Sequence, residues 1–318
     1  MAGAASCWAG SNRGNDLNGY LDVDGAITLG DRRVLKPGRL RWLRAIGWMI
    51  GMFALVLLSV GPVMGLIRDL LPKGEAHIAF FANVTAGMLA ITMYCLLVRF
   101  GEDRRPDELA LKSAPIELAG GLALGAVMFG AVMAILMAAD LYTVDWHGAA
   151  PAWRASGLAI QSAMIEEILV RGIVFRLLWR AFGPTVALAG SAALFGLGHV
   201  FNPGATAIST LCIALEAGVM LGALYALTGR LWVSIGVHAA WNFTQGYVFG
   251  AVVSGSTMGP ALSTSLARSD ANVLLSGGSF GPEASLPALL VCSAVGVAAL
   301  VAAWKSDRLR RHFGAAVT

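Results

Sequence analysis

Eight uninterrupted apolar stretches, residues 46–67, 77–98, 118–139, 156–178, 184–201, 205–227, 231–250 and 286–304, fill most of this 318-residue chain. A helix needs about 20 apolar residues to cross the hydrocarbon core of a bilayer. Inside lipid, every backbone polar group must also find its partner within a helix or a closed barrel. The stretches are continuously apolar and lack the period-two alternation of a membrane barrel, so they read as helices, and strands are not expected. The fold class that follows is all-α: a polytopic membrane protein, a bundle of about eight transmembrane helices. Charged residues make up 13% of the chain, about half the share of a soluble domain, so lipid is its solvent.

Around the stretches the chain divides into a polar tail at 1–44, one helical domain at 45–305 with no repeat of fixed period, and a short basic tail at 306–318. The first forty residues have no apolar core followed by a small-residue cleavage site, so they read as a flexible cytoplasmic tail. Basic residues set the orientation. Arg32, Arg33, Lys36, Arg39, Arg41 and Arg44 precede the first stretch, and Arg99, Arg104, Arg105 and Lys112 follow the second. Arg176 and Arg180 follow the fourth, Arg230 the sixth, and Lys305, Arg308, Arg310 and Arg311 close the chain. The opposite connections hold only Arg68, Lys73, Arg154 and Arg268. Both termini are therefore expected in the cytoplasm. The net charge of +4 follows from the same bias, and no nucleic-acid partner is implied.

Glycine pairs at 47 and 51, 121 and 125, 218 and 222, and 246 and 250 have the small-xxx-small spacing that lets helix backbones approach closely. Cys7, Cys95, Cys212 and Cys292 are scattered singly and suggest neither a disulfide framework nor a cysteine metal site. The longest connection, 251–285, is rich in Gly and Ser; a loop of this length is either functional or disordered. It is expected outside, where it could fold over the bundle.

Ionisable residues at membrane depth are costly and are read first as a functional site, here one inside the bundle. Glu166 and Glu167 are adjacent, about 100° apart around a helix, so they are not expected to face one partner; Glu167 and Arg171, four apart, share a face. Glu167 is thus paired and Glu166 is left as a base or acid. The plainer alternative is that both glutamates neutralise arginines and only hold the bundle together. Phe195 and His199 share a face in the fifth stretch, and His238 and Asn242 in the seventh, where imidazole and carboxamide can donate to a developing oxyanion. Each pair alone reads as helix glue. One free carboxylate, two histidines and one amide on three helices are together the parts for activating water and stabilising a tetrahedral intermediate. Counting about 1.5 Å per residue puts Glu166 and Asn242 near the midplane and His199 closer to the external side.

In their order and spacing, Glu166-Glu167-x-x-x-Arg171, Phe195-x-x-x-His199 and His238-x-x-x-Asn242 resemble the three motifs of the CAAX prenyl protease and bacteriocin-processing family (CPBP, or Abi). The likeness covers about residues 156–250, and the text from Thr228 to Gly246 is similar to bacterial members. Many relatives carry an aromatic residue just before the motif arginine, where this chain has Val170. The resemblance implies a glutamate-dependent intramembrane endopeptidase that cuts a membrane-associated protein or peptide in a bacterial-type inner membrane. Glu166 and His199 would activate water, His238 and Asn242 would stabilise the oxyanion, and Glu167, Arg171 and Phe195 would support the site. The family has also been described as intramembrane metalloproteases; Glu166, His199 and His238 would then supply three zinc ligands with one position open, although the H-E-x-x-H arrangement is absent. The metal-free version is preferred, because Asn242 beside His238 suits a second donor and is a poor zinc ligand.

Glu216, the remaining deep carboxylate, is read as hydrogen-bonded to neighbouring backbone rather than as lining a substrate path. His77, His147 and His312 fall at helix ends or in loops and carry no special role. Buried Glu, His and Arg on several helices also suit a proton-coupled transporter. A catalytically idle scaffold of the same family is a third reading.

Overall fold

The apolar stretches become eight helical rods in the computed structural model, which describes residues 27–70 and 76–309. They are α1 (Arg41–Leu70), α2 (Ala76–Leu97, continued by a π turn at Val98–Glu102) and α3 (Ala114–Ala138). The fourth joins α4 (Trp153–Glu167) to α5 (Arg176–Phe182) through a π segment, Ile168–Phe175. Then come α6 (Pro184–Gly198), and α7 (Ala207–Ile213) joined to α8 (Met220–Thr228) by the π segment Ala214–Val219. Next is α9 (Leu231–Phe243), which runs into a third such segment, Thr244–Val248; after the short α10 (Val273–Ser276), α11 (Leu286–Lys305) completes the bundle. Five helices, Arg41–Gly65, Ala76–Glu102, Ala114–Ala138, Ala207–Thr228 and Leu286–Lys305, are long and apolar enough to cross a membrane by length and composition. Of the rest, α4–α5 and α9 are central: nearly every residue of 163–177 and 231–241 is buried, as suits helices enclosed by others.

Where helices cross closely, glycine is the reason. A Cβ on Gly121 would lie 2.5 Å from the Val233 carbonyl oxygen and one on Gly125 2.3 Å from that of Val237, so α3 can pack on α9 only with both side chains missing. Gly218 meets Ala192 of α6 in the same way. Two of the four expected pairs do something else. A Cβ on Gly47 or Gly51 would meet nothing within 4 Å among the described residues, and Gly246 and Gly250 lie against Met258 and Ser263 of the 251–285 segment, not against a helix.

Strands do occur, outside the apolar stretches. β1 (Tyr142–Trp146) pairs antiparallel with β2 (Ser263–Ala267), Tyr142 opposite Ala267, and ties the α3–α4 connection to the 251–285 segment. Period-two reasoning applied to the spans cannot reveal a two-stranded ribbon in a loop. The 251–285 segment is accordingly ordered and folds over one end of the bundle.

The other end gathers the arginines. Arg176, fully buried, donates to both carboxylate oxygens of Glu102 at 2.6 and 2.9 Å, and Arg104 donates to Glu102 and Glu108. Arg230 pairs with Glu117 at 3.2 Å, and Arg180 donates to the Leu35 carbonyl. Arg176 and Arg180 lie within the fourth rod, not after it, because that rod runs on to Phe182. The second part of the expected tail is ordered too: Ile27, Leu29 and Leu35 are buried against the core. Cys7, Lys73, Arg310, Arg311, His312 and residues 1–26 lie outside the described residues.

Candidate active site

Glu166 and Glu167 close α4 where the helix widens into its π segment. Segments of this kind recur at functional sites, since the extra residue in a turn re-aims side chains and loosens the backbone ladder. Glu167 is fully buried and its Oε1 accepts twice, from Arg171 Nη1 at 2.9 Å and from His238 Nδ1 at 3.1 Å. Arg171, also fully buried, donates Nη2 to the carbonyls of Ala217 (2.9 Å) and Gly218 (3.3 Å), and its guanidinium stacks 4.5 Å from the centroid of Phe195. One ion pair therefore joins α4, α6, α9 and the α7–α8 rod.

Glu166 makes no hydrogen bond among the described residues; its Oε2 lies 3.9 Å from His238 Nε2, and a third of its side chain is exposed. The two glutamates thus do face one partner, contrary to the helical-wheel expectation. An imidazole carries its nitrogens on different edges, so a single ring spans the angle between adjacent residues. Phe195 lies between Arg171 and His199, its ring 4.9 Å from that of His199. His199 Nδ1 donates to the Phe195 carbonyl at 2.8 Å, leaving Nε2 without a hydrogen bond among the described residues. In both histidines, then, Nδ1–H is committed to the protein, and Nε2 is the atom open to chemistry. Asn242 donates Nδ2 to Ser162 Oγ at 3.2 Å.

Glu166, His199, His238 and Asn242 line one cavity of about 250 Å³. Its roof is the 251–285 segment, through Val253, Ser254 and Met258. A second recess, of about 270 Å³, shares Glu166, Phe195, His199 and Asn202 with the first and reaches Phe53 of α1. Glu216 is a correction: it makes no hydrogen bond among the described residues, to backbone or otherwise, and lines the cavity. Glu283, which the sequence reading missed, lines it as well, with Oε1 accepting from the Ser254 backbone N and from Ser254 Oγ at 2.7 Å each. No spacing links Glu283 to the motifs; the length of its loop was the only signal. Burial pushes the Glu283 carboxyl above the usual carboxylate range, with the Ser254 hydrogen bonds opposing it.

Among the described residues, no group of three or more His, Cys, Asp or Glu side chains is placed to hold a metal ion. Glu166, His199 and His238, the side chains that would hold a zinc ion, line one cavity. Cys95, Cys212 and Cys292 are free thiols, and His147 bonds Thr264 across the ribbon at 2.7 Å.

Residues 148–244 match the family model described as type II CAAX prenyl endopeptidase Rce1-like. This segment is similar to that family. It contains all three motifs and Glu216, ends before the 251–285 roof, and agrees with the CPBP resemblance carried by the motifs. No curated protein and no solved structure matches the chain.

Proposed function

We propose that this chain is an intramembrane endopeptidase that hydrolyses a peptide bond of a membrane-associated protein or peptide. The observation that carries the reading is His238 flanked by Glu167 at Nδ1 and Glu166 at Nε2, on a cavity shared with His199 and Asn242. Glu166, assisted by His199 Nε2, takes a proton from water as the water oxygen attacks the scissile carbonyl carbon. The resulting oxyanion accepts from Asn242 Nδ2 and His238 Nε2. With Nδ1–H committed to Glu167, His238 donates from Nε2 only when the ring carries both protons. The C–N bond then breaks, and the proton held by Glu166 passes to the leaving amine.

With the arginine-rich end in the cytoplasm, the roofed cavity faces the external half of a bacterial-type inner membrane, and the recess at Phe53 gives a lateral path from lipid. The test is substrate trapping in native membranes with Glu166→Gln. A protein that accumulates with the variant and is cut by the wild type in proteoliposomes is the expected result. Solute or proton movement across those proteoliposomes, with no cleavage of any trapped protein, would defeat the reading in favour of a transporter. Stoichiometric zinc in wild type that is absent from His238→Ala would replace the oxyanion role of His238 with a ligand role.

A further inference from the structure

The proposed reaction uses Glu166, yet the same cavity holds two more carboxylates. Glu216 comes from the π segment between α7 and α8, and Glu283 from the turn before α11. Glu216 is 1% exposed and Glu283 3% exposed. Among the described residues, neither has a Lys or Arg within ion-pair distance. Glu216 Oε2 is fully enclosed and has no hydrogen-bond partner. A carboxylate taken out of water is disfavoured unless it is protonated or a partner supplies charge or donors, and an unsatisfied one on a cavity wall calls for such a partner.

We propose that Glu216 and Glu283 form a cation subsite that receives a Lys or Arg side chain of the peptide substrate. This deepens the endopeptidase reading and rests on it. The walls fit such a side chain, because Ile213, Ala217 and Met220 offer apolar surface for its methylene stem while the two carboxylates meet its charged head. Ser254 pins Glu283 through one oxygen, which fixes the acceptor in place and ties it to the roof. Glu283 and His199 line the same cavity, so the basic residue would lie near the scissile bond.

The test uses purified full-length protein in detergent and a set of internally quenched apolar peptides, each with one Arg placed at a successive position and a norleucine counterpart. Wild type is expected to cut peptides with Arg at one fixed position at least tenfold faster than their counterparts. In Glu216→Gln and Glu283→Gln that preference falls to within twofold, while Glu216→Gln still cuts the norleucine peptides within about threefold of the wild-type rate. A preference that survives both substitutions overturns the subsite. A separate arm measures thermal stabilisation by butylguanidinium at constant ionic strength. Stabilisation of Glu166→Gln that is lost in Glu166→Gln/Glu216→Gln supports the subsite even if no peptide is cut, a result that would count against the peptidase reading alone. No stabilisation of Glu166→Gln by butylguanidinium overturns the subsite whatever the peptides do.

Discussion

Replacing Glu167 by Gln should cost folding and activity together, whereas replacing Glu166 by Gln should cost activity alone. Among the described residues Glu167 is the only carboxylate hydrogen-bonded to Arg171, and both side chains are fully buried. With a neutral amide at 167, Arg171 keeps two carbonyl acceptors and the face of Phe195 but no hydrogen-bonded counter-charge. Breaking one side of a buried pair costs roughly 3–5 kcal/mol, and even the lower figure should bring the melting temperature down by about 4 °C or more. Glu166 has no hydrogen bond to lose and is a third exposed, so its Gln variant should melt within about 2 °C of wild type, as substitutions away from buried networks do. A third variant separates the two duties of Glu167. In Glu167→Met/Arg171→Met no charge is left stranded, so much of the stability should return. Activity should not, because His238 Nδ1 has lost its acceptor. Thermal unfolding in detergent, followed by cleavage of the protein trapped by Glu166→Gln, measures both quantities. Equal melting of the Glu166 and Glu167 variants, or full activity of the double Met variant, would refute the division of labour.

Three other outcomes are expected. Gly125→Ala puts a methyl 2.3 Å from the Val237 carbonyl, next to His238, and should cost about 1–3 kcal/mol as overpacking does and lower activity, while Gly47→Ala, with open space around it, should change neither; melting curves of the two variants decide this. Burial alone would raise the Glu108 carboxyl, but Arg104, bonded to both of its oxygens, outweighs that and holds it at about 2 against an ordinary 4.5. Because the folded value is depressed, its contribution of about 3 kcal/mol is fully present above pH 4.5 and is lost as pH falls toward 2; acid unfolding of Glu108→Gln should show a correspondingly shallower loss. Reporter fusions after Lys112 and after Arg180 should both report cytoplasm, and an external signal from either would reverse the assigned orientation.

The helical bundle was legible in the sequence because lipid leaves few ways to satisfy a backbone, and a run of twenty apolar residues states its own length. Glu167 with Arg171, Phe195 with His199, and His238 with Asn242 were legible because one helical turn fixes which residues share a face. Partners on different helices were not. That His238 would lie between Glu166 and Glu167 depends on how α9 packs beside α4, which no local spacing encodes. The glycine pairs make the same point: 121 with 125 and 47 with 51 are identical as patterns, and only the first has a helix against it. Glu216 was misjudged because a lone carboxylate in an apolar run looks the same whether its neighbour is a carbonyl or a cavity. Glu283 was missed because it sits in a loop whose path is set by the β1–β2 ribbon and by Ser254.

The cavity roof is contributed by a stretch that begins after the Rce1-like segment has ended, and it is fastened by a ribbon and a serine–glutamate clasp instead of by helix packing. Loops on a rigid scaffold change faster than the scaffold and carry much of its selectivity. Such a division makes the cover interchangeable: a different insert between Gly250 and Leu286 changes the wall of the cavity while Glu166, His199, His238 and Asn242 beneath it stay where they are. Grafting covers between related chains is thus a route to new substrate preferences that leaves the buried ion pair of the bundle untouched.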